Sequence, residues 1–316
     1  MRTDPKRNID LAAALKSFSG YLQGSGKAEH TIRNYRWDIL HFARYLAPPG
    51  GPDALRRLKL SNLTPADLEG YDAYLRSRGF KTNTRRRRLI TVGRFLSFLA
   101  GRRKLPEELG RKMPAPHKME RVPFTISATE LLNTIRRLPY DTELTARNRA
   151  LLWALAETAC SVSELARVRF EDVAVLENGK GSLRIEGKSA RTLEVSQELA
   201  EAILVLRKGE VPWVFRGWNK YRALPTAITP RGIELLVRSY AEKLLGPAAP
   251  SGDQDLLTPR TFRHSAVIRW YQEGVSREEI QKRLGLKTAY AFRIYEPLFK
   301  SSSKTTSSSE KPPGES

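Results

Sequence analysis

Two arginines and a tyrosine near the end of the chain are the residue types that phosphoryl chemistry needs. They lie in LLTPRTFRHSAVIRWYQEGVSREEIQKRLGLKTAYAFRIYEPL, residues 256–298. Arg260 and Arg263 are three apart, so on a helix they project from neighbouring turns of one face. Guanidinium groups grip a phosphodiester through forked hydrogen bonds, and a phenol such as Tyr295 is an oxygen nucleophile toward phosphorus. That combination suits covalent chemistry on a nucleic-acid backbone. Taken alone, the same residues also suit solvated arginines and a tyrosine that caps a core.

The elements that must position these side chains follow from local signals. Thr258 is an N-cap and Pro259 fits the first helical position, which predicts a helix to about Glu273, stopped by Gly274. Ser276 with Glu279 forms a capping-box pattern that opens a second helix, closed by Gly285. A third short helix carries Ala289, Phe292 and Ile294 inward and ends near Tyr295.

The succession R-x-x-R-H-S, a helical hairpin, L-G-x and I-Y resembles the C-terminal signature of tyrosine recombinases, the phage-integrase and Xer-like enzymes that cut and rejoin DNA. A second stretch, ARNRALLWALAETACSVSELARVRFED (residues 146–172), is apolar and helical with a break near Ala159–Ser163. It resembles the family pattern A-L-L…T-G-L-R-x-S-E-L through Ala150, Leu151, Leu152, Thr158, Ser163, Glu164 and Leu165. Where that pattern carries the first catalytic arginine, this chain has Ser161. Farther on, SLRIEGKSARTLEVS alternates around Gly187 and Lys188, a β-hairpin signal. It is similar to the family's small sheet, whose turn carries a lysine.

The resemblance implies roles residue by residue. Tyr295 takes the place of the nucleophile that forms a 3′-phosphotyrosyl link, a step that needs no metal or other cofactor. Arg263 matches the second arginine, and Lys188 the general acid that protonates the leaving 5′ oxygen. Arg260 stands in place of the histidine of H-x-x-R, donating hydrogen bonds but unable to act as a base. Leu286 occupies a position where relatives have His or Trp and donates nothing. Ser161 removes a full positive charge, and the loss of one preorganised donor lowers a rate by ~10²–10³. Arg167 and Arg169 lie about 240° and 80° round an ideal helix from Ser161, so neither returns to its face. Cys160 reads as a buried small side chain, and His264 as a structural or supporting histidine.

Composition sets the frame. A chain of 316 residues is long enough for two domains, and 40% hydrophobic with 28% charged residues is a soluble globular balance. No apolar run is long enough to span a bilayer, the N-terminus lacks a secretion-signal core, and a single cysteine fits a reducing cytoplasm. Four scattered histidines and one cysteine make no zinc pattern. With 55 Lys plus Arg against 34 Asp plus Glu, the net charge is +21. Such a charge attracts polyanions, nucleic acid before an anionic membrane surface.

In the N-terminal part, Leu11, Leu15, Phe18 and Leu22 form one amphipathic stripe, and Ile32, Tyr35, Ile39, Phe42 and Leu46 a second that leaves Arg33 and Arg36 outside. Thr64 and Pro65 open a third helix that Gly79 stops. A fourth combines Leu89, Val92, Leu96 and Leu99 with the run Arg85, Arg86, Arg87 and Arg88. A basic run is usually a solvated face or an import signal, but among basic helices it suits phosphate or groove contact. The four-helix pattern resembles the family's SAM-like core-binding domain, which clamps one side of a duplex. Thr229 and Pro230 cap a later helix that ends at Gly246.

The expected fold is therefore mainly α with a small β-sheet. Residues 1–112 form the N-terminal helical clamp, 113–124 a Pro-rich basic linker, 125–299 a catalytic-type domain, and 300–316 a disordered Ser/Thr/Lys tail. No helix is expected after Tyr295. The expected function is DNA binding in site-specific recombination or integration, in the cytoplasm, on double-stranded DNA, in a homo- or hetero-oligomer with other recombinase subunits. Its own catalysis is expected to be impaired or partner-dependent; a catalytically silent architectural or regulatory subunit is the alternative.

Overall fold

A computed structural model describes residues 9–47, 58–102, 123–217, 226–246, 257–287 and 289–299, together with Leu55 and residues 104–106, 109, 113 and 115–119. The chain forms two compact units that divide between Glu120 and Arg121. The expected tail, 300–316, lies outside the described residues.

The first unit contains α1 (Leu11–Gly24), α2 (Glu29–Leu46), α3 (Pro65–Ser77) and α4 (Thr82–Gly101). Asp10 caps α1 through the amide of Ala12, and Thr64 with Asp67 closes a full capping box on α3. The apolar stripes meet in one core that includes Leu15, Phe18, Ile39, Phe42, Leu68, Leu75, Leu89, Val92 and Leu96.

The surface of this core holds a polar network that the stripes do not announce. Asp38, on the inner edge of α2, is buried and receives Arg87, Thr91 and, at 3.7 Å, Arg88. The Arg88 guanidinium also lies 4.2 Å over the Phe80 ring. Arg85 forks onto Asp72 with bonds of 2.9 and 3.1 Å. Arg86 donates to the carbonyl of Pro116 at 2.7 Å.

The second unit is built on α6 (Glu143–Thr158). Residues 150–156 of this helix are buried on every side, as expected of a helix with neighbours all round. It packs against α5 (Ala128–Arg136) and, farther along the chain, α10 (Pro259–Gln272). After α6 comes a single-turn helix, α7 (Val162–Leu165). A three-stranded antiparallel sheet follows in the order β1 (Val173–Val175), β2 (Lys180–Ile185), β3 (Arg191–Ser196). The β2–β3 register pairs Leu183 with Leu193 and Ile185 with Arg191, which puts Gly187 and Lys188 in the turn.

Then come α8 (Gln197–Leu204), the short strands β4 (Arg216–Gly217) and β5 (Thr226–Ala227), and α9 (Pro230–Leu245) capped by Thr229. Thr258 and Thr261 form the capping box of α10, Ser276 caps α11 (Arg277–Arg283), and a 3₁₀ segment runs over Ala289–Tyr295. Contrary to the sequence expectation, the backbone stays helical over residues 296–299. Phe299 is buried there and stacks on Tyr271 with ring centroids 3.9 Å apart. Apolar burial by Phe299 is what holds this turn, and a single aromatic residue leaves no periodicity to read.

Candidate active site

The break between α6 and α7 forms one wall of the site. Ala159 adopts the left-handed conformation, φ 53°, at the end of α6. L-residues pay for that geometry, and here it accompanies a bond from Arg263, which donates to the Ala159 carbonyl at 2.8 Å. A second bond of 3.0 Å runs from Arg263 to the carbonyl of Leu284, just past α11. Arg263 is thereby fixed between two segments, with one N–H from each amino group engaged and donors of its fork to spare.

Arg263, Arg260 and Thr258 from the start of α10, Ser161 and Glu164 from α7, and Leu286 line one cleft of about 780 Å³. Arg231, Glu234 and Arg238 of α9 close its other side. The structure thus brings together Ser161, Arg260, Arg263 and Leu286, four of the six positions to which the resemblance assigns roles, whereas Lys188 and Tyr295 are not among the residues lining this cleft. Arg260 is exposed at the first turn of α10. Leu286 is half-buried and offers no polar side-chain atom.

Ser161 is the N-cap of α7. Its hydroxyl accepts from the amide of Glu164 at 3.3 Å, and its own amide donates to the Glu164 carboxylate at 2.7 Å. The hydroxyl is thus committed to the helix end. Cys160 beside it is buried, and burial followed by the Glu164 charge pushes its thiol up to about 11, which leaves it a poor nucleophile. Arg167 bonds the Ser163 carbonyl and Arg169 stacks on Trp213, and neither lines the cleft.

Tyr295 ends the 3₁₀ segment and is only 2% exposed. Its hydroxyl shares a 2.9 Å hydrogen bond with His264 Nδ1, and its ring packs against Phe292 and Phe299. Burial pushes the phenol up to about 12, opposed by the charge and hydrogen bonding of Arg263. Burial, then the charges of Arg260 and Arg263, push the His264 imidazole down to about 4, so it is neutral near pH 7.

Lys188 is exposed in the β2–β3 turn, and the residue after it, Ser189, abuts Gly285. In the first unit, Arg33 and Arg36 are exposed on α2, with Arg33 over the Trp37 ring at 5.9 Å. Arg86 and Arg87 line a shallow groove with His30, Asn34, Asn83 and Lys118. Arg85 and Arg88 turn inward, with side chains 13% and 15% exposed.

Sequence reasoning missed Arg191, Glu164 as a polar wall of the cleft, and the three charged residues of α9. The Ser161–Glu164 capping spacing was a usable signal for Glu164. Arg191, in an alternating strand, reads as solvated.

Residues 15–103 match the phage integrase N-terminal SAM-like domain, and residues 127–301 match the phage integrase family. The chain belongs to the phage integrase family. Relatives from that family include a tyrosine recombinase XerC of Myxococcus xanthus, 27% identical over 292 residues, covering 87% of this chain and 89% of the relative. A tyrosine recombinase XerD of Listeria innocua is 25% identical over 281 residues, covering 85% and 88%. Among solved structures, the XerH site-specific recombinase in a post-cleavage complex with a palindromic difH substrate aligns with a TM-score of 0.65. It is 16% identical and covers 93% of this chain and 83% of that one. A lambda integrase dimer bound to a COC′ core site gives 0.61 at 14% identity, covering 98% and 81%. At these identities the structural likeness speaks for the integrase fold, mainly helical with small antiparallel sheets.

Proposed function

We propose that this chain binds duplex DNA in site-specific recombination, with Tyr295 placed as the nucleophile and with strand cleavage by the lone protein impaired. The observation that carries this reading is the state of Ser161. At the position of the family's first arginine stands a neutral side chain already committed to a helix cap, in a cleft that retains Arg263, carries Arg260 in place of the usual histidine, and has Leu286 where relatives have a donor.

In this reading Tyr295 Oη attacks the scissile phosphorus, the bond from phosphorus to the 5′ oxygen breaks, and Lys188 gives the leaving oxygen its proton. Arg263 and Arg260 donate to the non-bridging oxygens as their charge builds. Without the first arginine the cleavage rate falls by ~10²–10³. A partner subunit then supplies most cleavage at a shared site. Arg33, Arg36, Arg86 and Arg87, with Arg85 and Arg88 bracing α4 from inside, serve as DNA-contacting or positioning residues of the first unit. Residues 113–124 join the two domains. Relatives whose names and complexes concern recombination at DNA sites support the substrate class.

A second reading, a silent architectural subunit, draws on the burial of Tyr295 and its bond to His264. The DNA part of both readings is tested by duplex binding as a function of salt. A DNA clamp with 6–10 phosphate contacts loses ~10³–10⁵ in affinity between about 50 and 200 mM salt. Binding that ignores salt would remove both readings.

A further inference from the structure

The side chain of Arg191 joins three segments that sequence reasoning treats separately. It lies at the start of β3, three residues after Lys188, and is 7% exposed. Its Nε donates to the carbonyl of Arg283, at the end of α11, at 2.6 Å. Its Nη1 donates to the Glu164 carboxylate on α7 at 2.6 Å and to the Ser189 carbonyl, inside the turn, at 3.0 Å. Nη2 reaches toward Cys160 Sγ at 3.9 Å.

The junction is built tightly. Gly285 has φ +65°, and a Cβ there would lie 2.8 Å from Ser189 Cβ and 2.9 Å from Arg191 Nη1. Any larger residue would push the turn off the end of α11, on top of the strain of a left-handed backbone. The charge of Arg191 is matched by Glu164, whose carboxyl its hydrogen bond helps hold below the usual range despite burial. The Arg191 guanidinium is paired with Glu164 and is not among the side chains that line the cleft.

We infer that Arg191 is a positioning residue, a three-way clamp that pins the Lys188 turn to α7 and to the Gly285 end of α11. An unpinned hairpin turn bearing an exposed lysine samples many conformers, and a general acid must sit within hydrogen-bond reach of its proton acceptor. Arg191 removes that freedom. The role in catalysis rests on the recombinase reading above, whereas the clamp itself does not.

The test uses the full chain with Arg191→Met and, to avoid stranding a buried carboxylate, Arg191→Met/Glu164→Gln. Amide hydrogen exchange over residues 186–190 is read first, including Ala190, whose amide donates to the Gly187 carbonyl at 3.1 Å. The clamp predicts at least a tenfold rise in exchange there, with α6 and α10 unchanged. Unchanged exchange in the turn overturns it.

The second measurement compares nicked duplexes with an ordinary 5′ oxygen or a 5′-bridging sulfur at the scissile phosphate. Sulfur leaves as a thiolate and needs no proton. The adduct rate of Arg191→Met should fall at least tenfold on the oxygen substrate and stay within twofold on the sulfur one. Equal loss on both contradicts a role through Lys188. Adduct is followed over incubations long enough to read the slow unaltered chain; if neither substrate yields any, the silent architectural reading replaces cleavage by Tyr295, the role through Lys188 is overturned, and hydrogen exchange alone decides the clamp.

Discussion

Tyr295 Oη lies 2.9 Å from His264 Nδ1, and both groups are neutral near pH 7 because burial drives their titrations apart, to about 12 and about 4. The phenol is thus stored in a protonated, largely dry position beside Arg263. An attack on phosphorus requires this bond to yield, so chemical accessibility of the tyrosine is a direct readout. Tetranitromethane should modify Tyr21 and Tyr140, which are 53% and 64% exposed, well before Tyr295. His264→Ala should raise nitration at Tyr295, as read by peptide mass spectrometry, and equal nitration in both proteins would show that the bond does not hold the ring.

The depressed imidazole has a consequence for stability. In the unfolded chain a histidine takes up its proton near pH 6.5, in the folded second unit only near 4, so between those values the unfolded state binds more protons. Stability therefore rises as pH goes up through that window and is lost as pH falls through it, by roughly 1–3 kcal/mol from this group. His41 in the first unit is pushed down to about 4 as well, by burial and then Arg88, and adds a slope of the same sign there. His264→Asn should flatten the pH dependence of the second unit's unfolding, followed by hydrogen exchange, and leave that of the first unit intact.

Ser161→Arg separates structure from catalysis. Loss of the cap on α7 should cost about 1 kcal/mol, seen as a lower urea midpoint at constant slope. If the missing charge alone limits cleavage, the same variant should form covalent adduct ~10²–10³ faster on a nicked duplex. A destabilised variant with no gain in adduct would mean that Leu286 or another position also limits the site.

Asp38→Ala tests the polar support of the first unit. Asp38 is the carboxylate that holds Arg87 and Arg88 at the α2–α4 contact, although burial pushes its pKa up against their pull. Arg87 is 51% exposed and Arg88 15%, so removing Asp38 strands only Arg88 in a buried position, and the loss should be about 1–3 kcal/mol. Urea unfolding of the variant, compared with an Asp38→Asn protein that keeps an acceptor, measures it.

Local signals sufficed where one residue decides the backbone. Thr258, Pro259, Ser276 and Gly285 mark their helices correctly because caps and left-handed glycines act within one turn of the chain. The hairpin around Gly187 was readable from alternation, but β1 was not, since Val173–Val175 is too short to establish a period. Arg191 and the His264–Tyr295 bond were hidden for a different reason. Each joins groups distant in sequence, 92 residues for Arg191 to Arg283 and 31 for His264 to Tyr295, and only packing specifies such pairs. Asp38 escaped because a charged residue beside an apolar stripe is normally solvated, and here its burial depends on arginines 49 and 50 positions away.

The most direct measurement of the central claim is covalent trapping of the lone protein on a duplex nicked next to its scissile phosphate, so that religation is blocked. The account predicts little or no adduct on the time in which a site with its first arginine reacts to completion, and none at all from Tyr295→Phe. Rapid, near-complete adduct from the unaltered chain, abolished by Tyr295→Phe, would contradict it.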